Sequence, residues 1–404
     1  MRISTAQMFN QTTTNVMKSQ SATSKIMEQL ATGKKVNTAG DDPVAAIGID
    51  NLKQQGAVVD QFLKNIDYAS NRLAVSESKI GNAENVVSSM REQMLRSVNG
   101  TLSDSDRQTI ADDMRGSLEE LLSIANSKDE SGNSLFAGFK TNSEPFAFDN
   151  NGKVVYSGDS GVRDSVVASG VTVGSNIAGD SVFMNAANST GDYSVNYSAS
   201  QQGKFTVESA VISDPNDPTK PSAGNYTFDF VDNGAGGLDV NVTDTVTGTV
   251  TNIPNFDVTN PVTVDGIELQ LKGTPVAGDT FELTPEQNSN MFDTLNSAIA
   301  LLEDGSKLNT PQGQAEMAQL LNNVSSGQEQ MASSRSVAGN SLKSLENYTS
   351  THKEEQLVNQ SALSLLEDLD YAEAITEFEK QQMSLNAVSS VFSKVGSMSL
   401  FDYI

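Results

Sequence analysis

The stretch "LKQQGAVVDQFLKNIDYASNRLAVSESKIGNAENVVSSMREQM", residues 52–94, holds no proline and spaces Leu52, Val59, Ile66, Leu73, Ile80, Val87 and Met94 seven residues apart. An apolar residue at every seventh position keeps one side of an α-helix toward a partner helix, whereas a strand would need alternation. Three residues beyond these stand Phe62, Ala69, Ala83 and Met90, with polar Gln55, Ser76 and Ser97 between. The stripe is therefore an a/d seam whose d positions are often small or polar, which lets partner helices approach closely. Asp41 and Asp42 precede Pro43, the pattern of an N-cap with proline at the first helical position. Asn99-Gly100 reads as the stop, and Ser103 with Asp106 as the cap of the next helix. At ~1.5 Å per residue the predicted helix is about 85 Å long and needs helical neighbours along its length.

The C-terminal third repeats the device. Met317, Val324, Met331, Ala338 and Leu345 keep one seven-residue register, with Leu321 and Leu342 beside it. After a polar patch, "YTSTHKEEQ", the residues Tyr371, Phe378, Leu385 and Phe392 keep another, flanked by Ala374, Val388 and Val395. Between the helical ends lie eight of the ten prolines, from Pro145 to Pro285, among Gly, Thr, Val, Asn and Asp. There "NYTFDFVDNGAGGLDVNVTDT" alternates, turns on Asn-Gly and alternates again, and "VTVDGIELQLKG" reads as a hairpin turning on Asp265-Gly266. The expected fold is α+β: an antiparallel α-helical coiled-coil bundle formed by both chain ends, with an inserted all-β domain. The boundaries read as 1–144, 145–286 and 287–404.

Composition narrows the function. Asp plus Glu number 51 against 26 Lys plus Arg, a formal net charge of -25, which offers no basic field to gather phosphates and argues against nucleic acid. Cysteine is absent and His352 is the single histidine, which excludes disulfides, thiolate zinc sites and HExxH-type metal sites. No run of 18 apolar residues exists to span a membrane, and "MRISTAQMFNQTTTNV" lacks the apolar core of a secretory signal, so export, if any, is expected by another route. "ATGKKVNTAGDDP" has Gly33-Lys34 without the earlier glycine of a P-loop, and Lys35 replaces its Ser/Thr. Acidic pairs such as Asp112-Asp113 and Glu354-Glu355 sit in polar helical stretches and read as solvated faces. No nucleophile, base and orienting group can be nominated, so no catalytic, cofactor-binding or metal residues are assigned.

The strongest signal is the end of the chain. Phe378, Leu385, Val388, Val391, Phe392, Val395, Met398, Leu400 and Phe401 make an apolar surface wider than one stripe. Each large side chain left in water forgoes about 1.5–3 kcal/mol of burial. A helix of this kind faces several helices at once or forms an assembly interface.

Several segments resemble a known family, the bacterial flagellins and hook-associated proteins. "QLATGKKVNTAGDDPVAA" (Gln29 to Ala46), with Gly33, Lys34, Asp41, Asp42 and Pro43, resembles the family's N-terminal turn, and "NGTLSDSDRQTIADDM" its second helix. "MRIST", "GNSLFAGFKTNSEPFA" (Gly132 to Ala147) and the ending "DYAEAITEFEKQQMSLNAVSSVFSKVGSMSLFDYI" are similar to the hook–filament junction members rather than to filament flagellins. "GTPVAGDTFELTP" resembles a β-segment of hook-associated proteins. The resemblance implies terminal helices forming the inner coiled-coil layer of a tube, with the middle domain facing outward. It further implies export through the flagellar type III channel with the help of an export chaperone, and a place in the extracellular flagellum at the hook–filament junction. There a ring of like subunits would meet flagellin on one side and hook-associated protein 1 on the other, without catalysis or cofactor. Filament flagellin and, from another class, a coiled-coil surface adhesin are the rival readings.

Overall fold

The heptad stretch lies within one helix, α2 (Pro43–Ser97), which begins at the expected proline. Asp42 caps it: Oδ1 accepts the main-chain N–H of Val44 and of Ala45, both at 3.0 Å. The computed structural model describes residues 5–98, 102–150, 152–214 and 224–397. The other helices are α1 (Thr5–Thr32), α3 (Asp104–Ala125), α4 (Met291–Glu303), α5 (Gly305–Leu308), α6 (Pro311–Glu367) and α7 (Tyr371–Ser397). Ser103 caps α3 in a reciprocal box with Asp106, as read from the sequence. The expected stop at Asn99-Gly100 lies outside the described residues.

The strands occupy the middle: β1 (Phe146–Phe148), β2 (Val154–Tyr156), β3 (Asp164–Ala168), β4 (Val171–Gly174), β5 (Ala186–Ala187), β6 (Tyr193–Tyr197) and β7 (Lys204–Ile212) come first. After them run β8 (Tyr226–Asp232), β9 (Leu238–Asp244), β10 (Val250–Phe256), β11 (Val262–Val264), β12 (Ile267–Thr274), β13 (Thr280–Pro285) and β14 (Asn288–Ser289). All ladders between these strands are antiparallel. Helical ends with an inserted antiparallel β region give the α+β arrangement the sequence predicted.

The chain forms two compact units, one from its ends, up to Lys64 and from Tyr348, and one from Asn65–Asn347. In the first, α1 packs on α7, and the two run antiparallel because Gly33, just past α1, accepts a hydrogen bond from Leu369, just before α7. Among the less exposed residues of α1 are Val16, Ser19, Thr23, Ile26 and Leu30, and among those of α7 are Ala374, Phe378, Gln381, Leu385, Val388 and Phe392. Both sets alternate steps of three and four, a two-stranded seam. In the same unit the beginning of α2 pairs with the end of α6. Asn359 Nδ2 donates to the Leu52 carbonyl at 2.9 Å, and the His352 ring stacks on Phe62 at 5.4 Å.

In the second unit the seam is dry. Ile66, Leu73, Ile80, Val87 and Met94 of α2 are buried, as are Met317, Val324, Met331, Ala338 and Leu345 of α6 and Met114, Leu118 and Leu121 of α3. The two serines in this seam cost little, because Ser76 donates to Arg72 O and Ser97 to Met94 O within the same helix. Arg335 of α6 holds Glu77 and Glu84 of α2, each at 2.7 Å.

The β insert of this unit is a sandwich of a five-stranded sheet, order β10-β9-β8-β13-β6, and a three-stranded sheet, order β11-β12-β7. Inward residues alternate along the strands, so Phe205, Phe228, Phe230, Phe281, Tyr226 and Leu269 meet in one core. Both predicted hairpins are present: β8–β9 turns at Asn233-Gly234, and β11–β12 turns at Asp265 (φ 46) and Gly266 (φ 83). The two positive φ angles at the second turn are those a two-residue hairpin loop needs. Tyr193, opening the sandwich, pairs with Pro285, closing it, and Glu286 N donates to Asp192 O at 2.9 Å.

Candidate assembly surfaces

The loop from Gly33 to Pro43 joins α1 to α2, and its chemistry is that of a clasp. Gly33 adopts φ +70, and a Cβ there would meet the Tyr371 hydroxyl at 2.8 Å, so both the turn and its neighbour require glycine. Lys35 N donates to Glu367 O at 2.7 Å and Leu369 N to Gly33 O at 3.0 Å, which ties the ends of α1 and α6 together. Glu367, its side chain buried, takes Lys34 Nζ at 2.5 Å and Lys53 Nζ at 3.1 Å. The hydrogen bond from Lys34, against burial, holds its carboxyl below the usual glutamate range. Asp41 accepts from Asn37 N, Thr38 N and Thr38 Oγ1 and pairs with Lys25 at 2.9 Å. Lys25 first and the Thr38 amide second hold that carboxyl far below the usual aspartate range. Gly33, Lys34, Asp41, Asp42 and Pro43 thus come together as one corner that fixes where four helices start and stop.

Sequence reasoning singled out those five but not Glu367, Lys53, Lys25 or Gln29, whose Nε2 donates to Lys35 O at 2.6 Å. Nor did it separate α6 from α7. The break falls at residues 368–370, where Asp370 Oδ1 caps α7 by accepting from Ala372 N and Glu373 N.

Next to this corner the α2–α6 pair is loosely filled. Its seam carries Gly48, Gly56, His352, Gln356 and Asn359, and Asn359 Oδ1 is buried without a hydrogen-bond partner. His352 is 4 % exposed, lies between the rings of Phe62 and Tyr348, and meets Glu355 Oε2 through Nδ1 at 2.8 Å. A groove of about 890 Å³ runs past Leu52, Gln55, Val58, Val59, Val358 and Ala362, and another of about 650 Å³ past Lys53, Ala57, Leu357 and Leu363. The same two helices leave large apolar side chains in water: Val44 is 82 % exposed, Leu357 71 % and Leu365 85 %. On the α1–α7 pair Met17, Met27, Ile375, Met383 and Val391 are likewise exposed. A free-standing unit gains nothing from such side chains, whereas a unit flanked by others covers them.

The seam residues nominated from the sequence divide in two. Ile66, Leu73, Ile80, Val87 and Met94 are covered by their own chain. Leu52, Val59, Phe378, Leu385, Val388 and Phe392 are only half-covered, in the unit built from the chain ends. The side chain of Val395 and the residues Met398, Leu400 and Phe401 lie outside the described part. Among the described residues no cluster of metal-ligating side chains occurs, and no helix is long and apolar enough to cross a membrane.

The chain thus carries long helices at both of its ends, an inserted sheet domain between them, and an end unit whose large apolar side chains stay exposed. Residues 3–141 match the bacterial flagellin N-terminal helical region. The chain is also similar to flagellar hook-associated protein 3. It is 36 % identical over 146 residues to that protein of Salmonella typhimurium, covering 36 % of this chain and 46 % of the relative. The crystal structure of hook-associated protein 3 from Legionella pneumophila superposes with a TM-score of 0.68 at 28 % identity, covering 79 % of this chain and 98 % of that one. Flagellin B of Vibrio anguillarum is 33 % identical over 117 residues, covering 29 % of this chain and 31 % of the relative. The chain thus spans about half, or less, of the length of these curated relatives.

Proposed function

We propose that this chain is a structural subunit of the bacterial flagellum that joins the hook to the flagellin filament. The observation that carries the reading is the end unit: two helix pairs, each half-filled, bordered by grooves and by exposed Val44, Leu357, Leu365, Met17 and Met383. Such a unit is completed by copies of itself stacked around an axis, in keeping with a ring of like subunits. Leu52, Val59, Phe378, Leu385, Val388 and Phe392 are its interface side chains, continued by Val395, Met398, Leu400 and Phe401. Flagellin on one face and hook-associated protein 1 on the other are the neighbours this reading calls for, with an export chaperone shielding the C-terminal helix beforehand. The subunit works outside the cell and performs no catalysis. A match to hook-associated protein 3 over 98 % of a solved chain supports this place in the flagellum above that of a filament flagellin, of which flagellin B is matched over 31 % of its length.

A strain lacking this chain should release flagellin into the medium and build few or no filaments, and plasmid-borne protein should restore them. Filaments of normal number on the deletion strain would dismiss the junction role. Long filaments formed by the purified chain alone would favour the flagellin reading instead.

A further inference from the structure

We propose that Met17, Met27 and Met383 are peroxide-oxidation sites of the free subunit, and that their sulfoxides keep the end unit out of the assembly. The second half rests on the junction reading; the first does not. The chain contains no cysteine and no tryptophan, and its single histidine is buried. Thioether sulfur is therefore the most readily oxidised group it offers. The methionines then divide by unit. Among the described residues Met17 and Met27 of α1 and Met383 of α7 are each more than half exposed. In the second unit Met90, Met94, Met114, Met317 and Met331 are fully covered, Met291 is nearly so, and Met184 is half-buried.

None of the three exposed sulfurs sits in the α1–α7 seam. Val16 and Ile26 belong to it, and one residue further along the helix turns Met17 and Met27 aside by ~100°. Met383 stands midway between the seam residues Gln381 and Leu385, on the side of α7 away from α1. A dissolved hydroperoxide thus reaches all three without any unfolding. The sulfur lone pair attacks one peroxide oxygen and the O–O bond breaks. The proton of the transferred oxygen goes to the departing hydroxide, which leaves as water; sulfur loses two electrons and the peroxide gains them. The product is a polar, chiral sulfoxide on a surface that the assembly is proposed to cover. An unpaired S=O oxygen enclosed between apolar helices is penalised, whereas the flexible thioether adapts to such a place. The end unit loses its fit to a neighbour and keeps its own fold.

The first measurement is peptide mass spectrometry of the full-length protein during exposure to dilute hydrogen peroxide at neutral pH. Met17, Met27 and Met383 should gain oxygen roughly tenfold or more faster than Met90, Met94, Met114, Met317 and Met331, which must wait for local opening. The melting of the sandwich should not move. The second compares two strains. One carries Met17→Gln, Met27→Gln and Met383→Gln together, imitating the polarity of the sulfoxide; the other carries Leu at the same positions and keeps them apolar. The Gln strain should release several-fold more flagellin into the medium than the Leu strain. Equal oxidation rates in the two units overturn the proposal. So does equal release from the two strains, at whatever level, since polarity at these positions then has no bearing on assembly. A deletion strain that releases no flagellin overturns the junction reading and the assembly half with it, and the oxidation map still decides the sites.

Discussion

The side-chain amide of Asn359 donates to the main-chain carbonyl of Leu52 across 2.9 Å, inside a seam where a coiled coil would ordinarily place two apolar groups. Leu52 O is the end of a normal helical peptide, so this bond adds little. The other amide atom, Asn359 Oδ1, is buried with nothing to accept. The free chain therefore keeps a weak layer in its end unit.

Asn359→Leu should remove that weakness. Deleting an orphaned acceptor and adding apolar contact against Leu52 should stabilise the α2–α6 pair by about 1 kcal/mol. Amide exchange over residues 352–364 of the isolated protein should slow several-fold. Faster exchange in the variant would mean that the amide is needed for packing.

Glu367→Gln should loosen the clasp and alter its acid response. The Glu367 carboxyl titrates below its unfolded value because Lys34 and Lys53 favour the charged form. Its contribution is thus present above the usual glutamate range and disappears as pH falls through the lowered value. Lys34 and Lys53 are half exposed, so screening limits the effect to about 1 kcal/mol at pH 7. The melting difference between wild type and variant should shrink steadily as pH falls below the usual glutamate range. A difference that grows on acidification would contradict the assigned sign.

Leu385→Glu places a charge in the α1–α7 seam, where Leu385 is half-covered within the chain and is proposed to be fully covered in the assembly. Motility and filament number should collapse, while the melting of the β-sandwich stays at the wild-type temperature. Normal filament counts would show that this register does not face a neighbour.

Phe281→Ala acts in the opposite place. Phe281 is 1 % exposed and stacks on Phe228 at 4.7 Å, so its loss should cost about 3–5 kcal/mol of sandwich stability in urea titration. Helical signal from the end unit should be unchanged at denaturant levels that unfold the sandwich.

Ending the chain at Lys394 removes Val395, Met398, Leu400 and Phe401. The shortened chain should fold its sandwich but let flagellin escape, read by immunoblot of the medium. Retained flagellin with full filaments would make this tail dispensable.

Much of this architecture is legible in the sequence, because a seven-residue period, an Asp-Asp-Pro cap and an Asp-Gly turn are local signals. The seam reading falters where the seam turns polar. Adding seven to Leu345 gives His352, then Asn359, then Leu366, so the register of α6 runs straight through "YTSTHKEEQ" to the helix end. Periodicity shows through its apolar members, and the polar ones read as a patch. The clasp hides for a different reason. Lys34 and its partner Glu367 are 333 residues apart, and no spacing rule connects them. Burial of Ile66 to Met94 within one chain was equally invisible, since a heptad stripe says that a helix has a partner without saying whose.

Asp192 just precedes the sandwich and Glu286 just follows it, and these two share a hydrogen bond of 2.9 Å. A segment whose entrance and exit touch sets no length on what hangs between them. The frame of helices carries it as exchangeable cargo. A longer loop, a shorter sheet or an unrelated domain grafted at this port would alter neither helix length nor seam register. Such an insert is free to drift in size and chemistry while the helices that carry it keep their packing.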